Sequence, residues 1–158
     1  MAEHSNDTSG IRFPPPLIYA ALFVVGYGVH RVVPLHLWPV PGAVQRAIGW
    51  CLVAAWVLLT GGAVALFRRA GTTPNPAKPT TALVVRGPYR FTRNPMYLGF
   101  AALYLGLMLL VNSLWPLLLF PAVVALVQAR VIAREEAYLE AKFGDEYRAY
   151  KMRVRRWL

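Results

Sequence analysis

The chain reads as an all-α, integral membrane helical bundle of about four transmembrane helices, a single domain over residues 1–158. Three observations lead there. Hydrophobic residues make up 57% of the chain and charged residues 15%, against about 45–50% and about 25% in soluble domains. Three long runs carry no Lys, Arg, Asp or Glu: residues 13–30, 47–67 and 94–129. The basic residues fall between these runs rather than along a polar face. That placement suits anionic lipid better than nucleic acid, although the net charge is +10. Low charge with abundant aliphatics excludes intrinsic disorder, and a lone cysteine, Cys51, excludes a disulfide framework or a cysteine-cluster zinc site.

Each span follows from length. A helix crosses the hydrocarbon core with about 20 residues, so the first two runs give one span each, near 14–33 and 45–67. The third run is too long for one helix and suits two short ones turning at the polar pair Asn112-Ser113, near 96–112 and 114–131. The first dozen residues are polar with little positive charge, so no cleavage signal is expected and the first span reads as a retained membrane helix entered through Pro14-Pro15-Pro16. Pro116 falls at a helix start, whereas Pro121, inside the fourth span, predicts a kink. His4 is expected in a mobile tail, and His30 and His36 at an interface. Cys51 is expected to fill space in mid-span.

Orientation follows from the cations. The stretch from Arg68 to Arg93 holds six and no acid, the tail from Arg130 onward holds eight against five acids, and residues 32–45 hold none. Four spans put the amino terminus, the loop over 68–95 and the tail on one side, which the positive-inside rule makes cytoplasmic. The layout is thus two spans within 1–67, a cytoplasmic loop, and a hairpin with a helical tail over 96–158.

The chemistry is expected in the loop and the tail. The loop is too long for a plain connector. Its Pro and Gly residues (Pro74, Pro76, Pro79, Gly87, Pro88, Pro95) predict fixed turns, and Leu83-Val84-Val85 is its one apolar patch. In the tail the fourth span continues as an amphipathic helix expected to end at Gly144. Glu135 and Glu136 lie on it beside Arg130 and Arg134; taken alone, that is an ordinary solvated charge run. Tyr147, Tyr150 and Trp157 among cations read as an interfacial belt.

Taken together, Gly87-x-Tyr89, the run Arg93-Asn94-Pro95-x-Tyr97-x-Gly99, the Glu135-Glu136 pair, Phe143-Gly144 and Tyr147-x-x-Tyr150 resemble the isoprenylcysteine carboxyl methyltransferase family. That family lies in a wider group of membrane methyltransferases that includes phospholipid N-methyltransferases. The resemblance covers about half the chain. It implies S-adenosylmethionine at the cytoplasmic face, lined by Tyr89, Asn94, Pro95, Met96 and Tyr97 and closed by backbone around Thr81, Ala82, Leu83 and Val84. Glu135, with Glu136 beside it, would meet the cofactor's methionine end. Glu135, Arg130 and Arg134 are then the candidate catalytic residues. Two positions depart from the family pattern. Asn94 stands where the best-known members carry His, and it cannot titrate. Val131 stands where members with a prenylcysteine substrate carry Arg, one turn before the first Glu.

The residue types suit the reaction. A sulfonium cation is attracted to tyrosine faces by about 0.5–2 kcal/mol when desolvated, and methyl transfer needs positioning more than a nucleophilic side chain or a metal. The implied acceptor is a hydrophobic small molecule, lipid or prenylated group, with a phospholipid amine or a small thiol as alternatives. Membrane lipids are expected partners; no nucleic acid, protein partner or metal is. A non-catalytic lipid-binding subunit and a nicotinamide-dependent reductase are the competing classes.

Overall fold

The computed structural model describes residues 8–11, 14–75 and 78–158; His4 and Pro76, named above, lie outside them. The described residues are all-α, as the composition predicts. The helices are α1 (Pro16–Val32), α2 (Ala43–Arg69), α3 (Pro95–Leu110), α4 (Leu114–Val127) and α5 (Ala133–Arg153). A 3-10 turn (Gly87–Arg90) precedes α3, and a π turn (Gln128–Ile132) joins α4 to α5. Helices α2 and α4–α5 (Leu114–Arg153) are long and apolar enough to cross a membrane; α1 and α3 are apolar but shorter.

Local chemistry sets the starts and turns. Pro16 opens α1 and Pro95 opens α3, where a missing N–H costs nothing and φ is already helical. The hairpin turns at Asn112, whose φ of 51° is a left-handed geometry that Asn tolerates. Its amide donates to the Trp38 carbonyl at 2.8 Å and its oxygen accepts from Gln45 Nε2 at 3.2 Å. The α1–α2 loop is thereby tied to the hairpin, and the buried Asn112 amide finds partners in an apolar setting.

Helix α2 packs along α3, and α1 lies against α4. A Cβ on Gly106 would stand 2.8 Å from the Gly49 carbonyl oxygen, so α2 and α3 approach backbone to backbone. Small residues permit such packing where lipid removes any hydrophobic drive between helices. Tyr19, Tyr97, Tyr104, Val123, Val127, Val131 and Ile132 fill the centre. Val24, Val25, Val57 and Leu58 point outward from α1 and α2, fully apolar, as lipid contact requires. Cys51 is exposed on α2 rather than packed inside.

Two details of the tail differ from the sequence expectation. Pro121 lies within α4, and the departure from α geometry comes at the π turn, where one extra residue per turn rotates α5 by about 100° relative to a continuous helix. Gly144 does break the helix, with φ 52° and ψ −123°, yet helical structure resumes and runs to Arg153. A side chain at Gly144 would be strained, so the glycine makes a corner rather than an end.

Candidate active site

A cavity of about 450 Å³ opens between the loop after α2, the start of α3 and helix α5. The loop contributes Ala82, Leu83 and Val84, the 3-10 turn Tyr89, the start of α3 Asn94, Met96 and Tyr97, and α5 Glu135 and Glu136. Residues far apart in sequence thus share one wall. Tyr89 is fixed from two sides: its ring meets Phe67 of α2 edge-on at 5.8 Å, and its carbonyl accepts from the Tyr150 hydroxyl at 2.7 Å.

Four sequence candidates are not on the cavity wall. Thr81 is exposed, and its N–H donates to Thr72 Oγ1 at 2.9 Å, which pins the loop to its own base. Pro95 is fully buried as the first residue of α3. Arg130 and Arg134 are exposed and face away. Val131 is 2% exposed within the core, so no cleft faces it. The π turn explains this: it turns Val131 and Ile132 inward ahead of the acid pair.

Sequence reasoning missed several lining residues. Tyr147 and Tyr150 are buried cavity residues rather than an interfacial belt, because the corner at Gly144 folds the second half of α5 back. Their spacing of three on a helix was the available signal. Arg93, Phe67, Phe100 and Tyr138 also line the cavity, with Pro14 and Pro15 from the segment entering α1.

The two adjacent acids occupy different environments. Glu135 is half-buried and accepts a hydrogen bond from the Tyr97 hydroxyl at 2.7 Å. Burial pushes its pKa up to about 7, the Tyr97 bond pulls it back, and the neighbouring Glu136 charge adds to the rise. Burial and the Glu135 charge also raise the Tyr89 hydroxyl. Glu136 is ion-paired with Arg93 Nη1 at 3.2 Å and takes two hydrogen bonds from Arg156, at 2.6 and 3.1 Å. Glu135 therefore offers a carboxylate to the cavity, while Glu136 spends its own on protein cations. Among the described residues, no group of three His, Cys, Asp or Glu is placed to hold a metal.

The model of the family described as phospholipid methyltransferase matches residues 44–146, which run from α2 through both acids. The chain belongs to that family. It is 39% identical over 72 residues to a protein-S-isoprenylcysteine O-methyltransferase of Schizosaccharomyces pombe, 46% of this chain and 30% of that one. It is 42% identical over 66 residues to methanethiol S-methyltransferase 1 of Bradyrhizobium diazoefficiens, 42% of this chain and 22% of that one. An uncharacterized Haemophilus influenzae protein is 82% identical over 27 residues, 17% of this chain and 43% of that one. The chain spans less than half the length of each of these relatives. No solved structure matches it significantly. The family match ends at residue 146, so Tyr147, Tyr150 and Arg156 of this family member lie beyond it.

Proposed function

We propose that the chain is an S-adenosylmethionine-dependent membrane methyltransferase that moves a methyl group to a hydrophobic acceptor at the cytoplasmic face. The observation that carries this reading is the Glu135 carboxylate, held by Tyr97 in an aromatic-lined cavity. The residues fit the cofactor. A half-buried carboxylate suits an ammonium group, tyrosine faces suit a sulfonium, and the volume is within the range of about 300–1,000 Å³ usual for small-molecule sites. When bound, S-adenosylmethionine supplies an electrophilic methyl group on a cationic sulfonium. Tyr89 and Tyr97 would hold the cation. Leu83, Val84, Phe67 and Phe100 exclude water and so strengthen every charge interaction inside. Asn94 lines the cavity, but its amide donates to the Arg156 carbonyl at 2.8 Å, which makes it an orienting group rather than a proton carrier.

The walls also bear on the acceptor. Pro14, Pro15 and Phe100 border the cavity where α1 and α3 begin, an apolar rim suited to entry from lipid. Among the described residues, the one guanidinium on the wall, Arg93, lies 3.2 Å from Glu136 with its Nε and Nη1 buried and without a hydrogen-bond partner, so it presents no open fork to a prenylcysteine carboxylate in the cavity. A thiol or amine acceptor fits better. The cation distribution supports a multi-pass protein with both termini and the central loop in the cytoplasm.

Calorimetry of the chain in nanodiscs against S-adenosylhomocysteine and NADPH tests the class. Binding of the first alone is expected. NADPH binding selects a reductase, and binding of neither leaves a lipid-binding subunit. Tyr97→Ala and Glu135→Ala should each weaken S-adenosylhomocysteine binding by roughly ten- to hundredfold; unchanged affinity in both removes this cavity as the cofactor site. Methyl transfer to a farnesylcysteine analogue, phosphatidylethanolamine and a long-chain thiol then ranks the acceptors.

A further inference from the structure

We infer that residues 154–157 form a clamp that sets the geometry of the cavity, with Arg156 as its positioning residue; the functional part of this rests on the methyltransferase reading. Beyond Arg153 the chain leaves helical geometry, Val154 having φ −124° and ψ 131°, and doubles back across the turn before α3. The Arg93 N–H donates to the Arg155 carbonyl at 2.9 Å. The Arg156 carbonyl accepts from the Thr92 hydroxyl at 3.1 Å and from the Asn94 amide at 2.8 Å. The Arg156 guanidinium reaches the opposite wall, giving Glu136 hydrogen bonds of 3.1 and 2.6 Å from Nε and Nη2. Trp157 adds a bond from its indole N–H to Gln128 Oε1 at 3.1 Å, on the π turn, and packs against the core.

One residue thus joins two walls. Through its carbonyl Arg156 holds Thr92 and Asn94, both buried; through its side chain it holds Glu136 of α5. Tyr97 is fixed to the first wall, one helical turn after Asn94, and Glu135 to the second, beside Glu136. The 2.7 Å contact between Tyr97 and Glu135 therefore spans a gap that Arg156 bridges one residue away. Charge-assisted bidentate bonds from a planar guanidinium fix angle as well as distance. Removing that arm leaves a buried carboxylate with Arg93 alone and frees α5 to shift against α3. Residues 154–157 lie beyond the segment the family model matches, whereas their partners Thr92, Arg93, Asn94 and Glu136 lie within it.

The test uses the full chain in nanodiscs as wild type, Arg156→Ala, Arg156→Lys and a deletion of residues 155–158. Two readouts are needed: affinity for S-adenosylhomocysteine and amide hydrogen exchange over residues 91–97. Arg156→Ala should weaken binding about tenfold, the deletion more, and Arg156→Lys should recover part of the loss by restoring charge without the fork. KM for S-adenosylmethionine should rise more than kcat falls. Exchange over 91–97 should quicken in Arg156→Ala and the deletion while α2 keeps its protection, which separates loosening of the clamp from general unfolding. A wild type that binds no S-adenosylhomocysteine overturns the methyltransferase reading. Unchanged exchange over 91–97 in both Arg156→Ala and the deletion overturns the clamp, whichever way the binding result falls. Quickened exchange with wild-type affinity overturns the positioning role.

Discussion

Glu135 and Glu136 are neighbours of the same type, and their surroundings alone give them different tasks. Glu135 keeps its proton up to about pH 7 in the fold, against a reference value of 4.5. The folded chain therefore binds more protons than the unfolded one between those values, and this group's contribution to stability falls as pH rises through that window. Glu135→Gln should remove the penalty and stabilise the ligand-free protein at pH 8 by on the order of 1–2 kcal/mol, discounted because the carboxyl opens onto the cavity. The same variant should bind S-adenosylhomocysteine more weakly, and wild-type affinity should decline below about pH 7 as Glu135 is protonated. Thermal midpoints of both proteins at pH 5 and 8, with calorimetry across the range, check it; equal midpoint shifts in the two remove Glu135 as the source. Val131 gives the opposite lesson. As the position of the family's Arg it invites Val131→Arg as a gain of function, but it is 2% exposed in the core. The substitution should cost about 3–5 kcal/mol for an unpaired buried charge and bring no gain in farnesylcysteine methylation. Unfolding midpoints together with that assay decide it.

At the scale of elements, α2 and α3 approach backbone to backbone at Gly49 and Gly106. Gly106→Val would drive a side chain into the Gly49 carbonyl, with 2.8 Å available even for a Cβ. Overpacking of this kind costs typically about 1–3 kcal/mol, and here both helices must separate along their contact. A lower thermal midpoint is expected in Gly106→Val and little change in Gly28→Val, where a Cβ meets nothing within 4 Å; equal effects would count against the contact. The helices themselves were legible, since charge-free runs and the polar pair at Asn112 mark their limits. The π turn was not. It has no local sequence mark, and whether Arg130 or Val131 turns inward depends on the tertiary packing of Gln128–Ile132.

Across the whole molecule, the proposed four-span topology predicts that the loop near Lys78 and the tail near Lys151 lie on the cytoplasmic side, where the cations cluster. Single cysteines at these positions, in a Cys51→Ser background, should resist an impermeant thiol reagent in intact cells and react after permeabilisation. Labelling of either in intact cells would break the four-span arrangement. The amino-acid sequence by itself determined the helical class, the approximate helix limits and the hairpin turn, and pointed to the two segments that line the cavity, because burial in lipid demands continuous apolar helices and leaves a plain trace in composition. It also brought Tyr89, Asn94, Tyr97 and Glu135 forward as candidates by motif. Tertiary structure alone decided which of the paired acids keeps its carboxylate clear of protein cations, that Arg130 and Arg134 lie off the cavity wall, that Tyr147 and Tyr150 line it, and that Arg156 bonds Glu136. The reason is physical. Those assignments depend on one extra residue in a helical turn and on a corner at Gly144, and each reorients every side chain that follows without altering the apolar pattern from which the helices are read.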